Sequence, residues 1–82
     1  MSRPARQLRV SAEVDSTRSL IEAARFAQTL GFGKQDCQAV STAVSELARN
    51  ILKYAGEGFV VIEEVEDAGR RGIQITVQDH GP

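Results

Sequence analysis

Thr42-Ala-Val-Ser-Glu-Leu-Ala-Arg-Asn-Ile-Leu-Lys-Tyr-Ala-Gly56 is the stretch around which the chain is organised. With the residues before it, apolar side chains fall at Cys37, Val40, Val44, Leu47, Ile51 and Tyr54. That alternation of three and four predicts one helix with a single buried stripe. At about 100° per residue, Glu46 lies roughly 140° from the stripe's centre and Asn50 roughly 100° from it, on the same side. A carboxylate and a carboxamide one turn apart on a rigid element can put oxygens on a metal or a proton, the kind of arrangement a catalytic site needs. An isolated Glu-x-x-x-Asn is also ordinary polar helix surface, so the pair carries weight only together with the rest of the chain.

Eighty-two residues make one small domain, 41% apolar and 26% charged with a net charge of −1. This is globular composition, neither disordered nor membrane-embedded. Ten basic residues against eleven acidic ones leave no nucleic-acid footprint, and Arg3, Arg6 and Arg9 read as solvated. Cys37 is the sole cysteine, so it forms no internal disulfide and fits a reducing compartment. The first residues lack the apolar core of a signal peptide, and no run is long enough to span a bilayer, so a cytoplasmic protein is expected.

Residues 7–14 alternate, with Leu8, Val10, Ala12 and Val14 on one side, and predict a half-buried strand. Asp15 offers an N-cap to a first helix running to Leu30, and Gly31 ends it. The second helix begins near Lys34, with Asp36 at the positive end of its dipole, and Gly56 closes it. Phe59-Val-Val-Ile-Glu-Glu-Val-Glu66 is strand-like, residues 67–72 are turn chemistry, and residues 72–79 alternate again, giving a hairpin. The order β-α-α-β-β, with helices on one face of a sheet, is an α+β two-layer sandwich.

On the last strand Ile73, Ile75 and Val77 share a face, and period two puts Asp79 on it as well. A carboxylate there either sits at the wet end of the strand or has a committed hydrogen-bond partner. His80 has neither a second histidine nor a cysteine pair to make a zinc site.

Glu46-Leu-Ala-Arg-Asn50 with Lys53-Tyr54 resembles the N-box of the GHKL (Bergerat-fold) ATPase and kinase superfamily. Asp79-His-Gly81-Pro82 resembles the start of its first glycine box, Asp-x-Gly-x-Gly. More narrowly, residues 43–56 are similar to the RsbT type of stressosome switch-protein serine kinases, relatives of the anti-sigma-factor kinases. The resemblance spans roughly residues 7–82 and implies the N-terminal portion of a Bergerat-type sandwich, as one partial domain over 1–82. It implies ATP and Mg²⁺ as cofactors, with Asn50 ligating the metal through its side-chain oxygen. Glu46 would accept the proton of an attacking serine hydroxyl. Lys53 would face the phosphates, Tyr54 would line the pocket, Asp79 would accept from the adenine amino group, and Gly81 would leave room for the base. Arg49 would either reach a phosphate or stay solvated.

The implied function is an ATP-dependent serine/threonine kinase of a partner-switching stress pathway. It would phosphorylate a STAS-type scaffold or antagonist protein and, once released, engage a PP2C-type phosphatase. The alternative is a non-catalytic partner-binding module on the same surface. A histidine-kinase ATPase domain is disfavoured, because no helical hairpin bearing a phosphoacceptor histidine precedes the domain. The chain stops before the second glycine of the box, the lid and the later strands, so these 82 residues alone are expected to bind ATP poorly. The strand edge left open there predicts marginal stability or association with another chain.

Overall fold

In the computed structural model, residues 3–79 are described, the last by its backbone alone. The elements are β1 (Ala5–Val10), α1 (Val14–Thr29), α2 (Lys34–Tyr54), β2 (Gly58–Asp67) and β3 (Arg70–Asp79). The three strands form an antiparallel sheet in the order β1-β2-β3. Both helices lie against one face, as the α+β sandwich reading requires.

Period two in β2 sends Val60 and Ile62 to the helix side, where Leu8 and Val10 of β1 join them. Ala23 and Phe26 of α1, with Val44, Ala48 and Ile51 of α2, complete the core. Ile73, Ile75 and Val77 of β3 pack against it only half-buried.

The first strand is shorter than its alternation predicts. β1 stops at Val10 because Val10 pairs with Gly58, where β2 begins, so residues beyond it have no partner strand. Val14, expected inside, is 61% exposed. Asp15 also acts differently from the expected cap. It lies within the first turn of α1, and its Oδ2 accepts from the amides of Ser11 at 2.9 Å and Ala12 at 3.0 Å. The carboxylate therefore pins the strand-to-helix corner rather than the free amides of the helix. These two backbone donors, helped by the Arg18 guanidinium and the Ser11 hydroxyl, hold the Asp15 carboxyl below the usual carboxylate range, against the opposing effect of its burial.

The predicted stops hold. Gly31 (φ 88°) closes α1 in a Schellman arrangement, with Phe32 N–H donating to Ala27 O and Gly31 N–H to Gln28 O. Gly56 (φ 86°) closes α2. The hairpin loop is tighter than the six residues expected: only Ala68 and Gly69 lie outside the strands, both at positive φ, as a type I′ turn demands.

The α2 stripe also moves. Its buried residues are Ser41, Val44, Ser45, Ala48 and Ile51, whereas Cys37, Val40 and Leu47 are half-buried and Tyr54 is 71% exposed. Small side chains at 41, 45 and 48 let α1 lie close alongside, so burial tracks the neighbouring helix rather than hydrophobicity alone.

Candidate functional site

Because α1 and α2 run antiparallel across a short link, the start of α1 lies beside the end of α2. The end of β1, the start of β2 and the end of β3 meet at the same pole, through the pairs Val10 with Gly58 and Gly58 with Asp79. Gly58 follows Tyr54 by only four residues, which brings the Asp79 backbone to the pole where α2 ends. The Asp79 side chain and Gly81 lie outside what the structure describes.

Glu46, Arg49, Asn50, Lys53 and Tyr54 are all exposed on α2. The shift of the buried strip turns Glu46 and Asn50 farther outward than expected: both now lie roughly 160° from its centre. They stand on the outermost face of the helix layer, about 6 Å apart along the axis at 1.5 Å per residue. Neither side chain makes a hydrogen bond or ion pair with any described residue. An exposed carboxamide with its oxygen uncommitted fits a hard cation that brings its other ligands with it. Lys53 Nζ sits 5.2 Å from the centre of the Tyr54 ring, and so the two expected pocket residues touch each other.

Two shallow hollows follow the α1–α2 seam. One of about 510 Å³ is lined by Glu13, Ser16, Arg49, Leu52 and Lys53. A second of about 220 Å³ is lined by Leu20, Ser41, Thr42, Ser45, Glu46 and Arg49. Sequence reasoning did not single out Glu13, Ser16, Leu20 or Ser45 for this site. They reach it through the helix pairing, and an apolar count along α2 cannot register that. Among the described residues no group of three His, Cys, Asp or Glu side chains could hold a metal ion, and no helix is long and apolar enough to cross a membrane.

Comparison with known proteins bears on what this surface is for. Over 75 residues the chain is 43% identical to the serine/threonine-protein kinase RsbT of Bacillus subtilis (strain 168). The chain is a homologue of RsbT. The match takes in 92% of the chain and 56% of the relative, so the chain spans little more than half of that kinase's length. No protein-family profile matches the chain, and no solved structure matches it. The resemblance drawn from Glu46 through Tyr54 thus agrees with a similarity that runs along nearly the whole chain.

Proposed function

We propose that the chain is the nucleotide-side portion of an RsbT-like protein serine/threonine kinase, acting in the cytoplasm within a partner-switching stress pathway. The reading is carried by one observation: Glu46 and Asn50 share the outer face of α2, uncommitted to any described partner, within a chain homologous to RsbT. The ATP γ-phosphorus would be attacked by the serine or threonine oxygen of a STAS-type scaffold or antagonist protein. A new O–P bond forms as the bond to the β-phosphate oxygen breaks, ADP leaves, and the hydroxyl proton passes to the Glu46 carboxylate. Asn50 would hold Mg²⁺ by its side-chain oxygen, and Mg²⁺ supplies charge neutralisation on the phosphates when bound.

Lys53 lies one turn beyond Asn50 and faces the phosphates in this reading, while Tyr54 lines the pocket with Asp79 and Gly81 at the adenine. Single-turnover transfer of labelled phosphate to the STAS protein by the full-length kinase tests this. Glu46→Ala is expected to abolish transfer while leaving partner binding intact, and Asn50→Ala to remove the Mg²⁺ dependence of ATP binding. Undiminished transfer by Glu46→Ala would eliminate the proposed base. If the wild type binds the STAS protein without transferring phosphate, the surface is a binding module instead. A PP2C-type phosphatase is the proposed second partner.

A further inference from the structure

We propose that Arg49 determines specificity for the protein substrate, receiving a carboxylate of the polypeptide whose hydroxyl is presented to Glu46. The inference rests on the kinase reading above. Arg49 lines both hollows of the α1–α2 seam, and Glu46 lines the smaller one with it. Asn50 lines neither of these two hollows. Successive residues on a helix diverge by about 100°, so Asn50, which would hold the metal, stands on a different side of α2 from Arg49, while Lys53, assigned to the phosphates, borders the larger hollow beside it. Lys53, the other cation of the larger hollow, has its ammonium over the Tyr54 ring. Arg49 is therefore the cation of this hollow that no described group engages.

Its charge is uncompensated among the described residues. Arg49 forms no ion pair with Glu46, one turn before it, nor with Glu13 across the seam, and makes no other polar contact with a described residue. Arg3, Arg18 and Arg71 each pair with a carboxylate; among the described residues Arg6, Arg9, Arg25 and Arg70 do not, and Arg49 differs from those four in lining both hollows of the seam. A planar guanidinium over a shallow groove matches a carboxylate carried by an extended peptide segment. Side chains three apart on a helix stand about 5–6 Å from each other, and an extended chain advances roughly 3.3 Å per residue. Allowing for the reach of the arginine, the acidic side chain falls within about two to four residues of the acceptor serine or threonine.

The test measures KM for the STAS-domain substrate, and its Kd with nucleotide absent, beside the Kd for Mg-ATP. It uses the full-length kinase carrying Arg49→Ala, Arg49→Lys or Arg49→Glu. Arg49→Ala is expected to raise KM and Kd for the protein about tenfold, Arg49→Glu to raise them further, and Arg49→Lys to restore part of the loss. The Mg-ATP Kd should stay within about twofold, a change smaller than one lost charge contact produces. Added salt should weaken the wild type more than Arg49→Ala. Unchanged protein affinity in Arg49→Ala and Arg49→Glu overturns the proposal, as does a rise confined to the Mg-ATP Kd, which would assign Arg49 to a nucleotide phosphate. A wild type that binds the STAS protein but transfers no phosphate refutes the kinase reading, and the binding measurement then still decides the role of Arg49. A wild type that does not bind it overturns both.

Discussion

At the pole opposite the candidate site, Arg71 of β3 holds three structures together. Its Nε donates to Glu64 Oε2 at 2.8 Å and its Nη2 to the same oxygen. The same Nη2 also donates to Leu30 O at the end of α1, and the guanidinium stands 4.9 Å from the centre of the Phe32 ring. Glu64 lies on the helix-facing side of β2 at 9% exposure. Replacing Arg71 with Ala leaves that carboxylate facing, among the described residues, only Arg3, whose Nη1 is 3.8 Å from Oε1. Removing one partner of a fully buried pair costs about 3–5 kcal/mol, whereas an exposed pair is worth at most about 1 kcal/mol.

The Arg71 side chain is 45% exposed and that of Glu64 11%, so an intermediate loss of about 2 kcal/mol is expected for the pair. The Phe32 contact adds about 0.5 kcal/mol at this exposure. For a domain of this size the sum lowers Tm by roughly 10–20 °C. Thermal and urea unfolding followed by circular dichroism measure it. Adding Glu64→Gln to Arg71→Ala should recover at least about 1 kcal/mol, because the orphaned charge is gone. Arg71→Ala within about 0.5 kcal/mol of wild type, or single effects that simply add in the double variant, would refute the strut.

Asp15→Asn should flatten the acid side of the stability profile. The folded carboxyl titrates below its ordinary value, so the unfolded chain binds more protons between the folded pKa and the unfolded value near 3.9. Stability from Asp15 is thus full above that unfolded value and lost as pH falls through the folded one. Urea midpoints across the acid range check it; an unchanged slope in Asp15→Asn would contradict the pinned corner. Ala68 sits at φ 54°, where its Cβ is strained, so Ala68→Asn, making Asn-Gly at the type I′ turn, should raise stability by about 0.5–1 kcal/mol, read as a higher Tm.

Local signals were legible wherever the cause is local. Gly31 and Gly56 sit at positive φ where a helix must end, the 3-4 spacing marks α2, and alternation marks the hairpin, because backbone sterics and period do not depend on distant residues. Matters set by a neighbour were not. The strand alternation at Ala12 and Val14 continues past the point where β2 can pair with it, and Asp15 turned back to amides that only the corner brings within reach. Ser41, Ser45 and Ala48 are buried because α1 lies along them, which no count of apolar residues on α2 alone could register.

The same division runs through the candidate site. The residue types and their i, i+4 spacing on α2 are properties of the sequence, since a helix places Glu46 and Asn50 one turn apart wherever it packs. Which way that face points was decided by tertiary structure. Packing against α1 and the sheet rotated the buried strip, turned the pair outward and put Arg49 over the seam, because a helix takes its orientation from the surfaces that cover it.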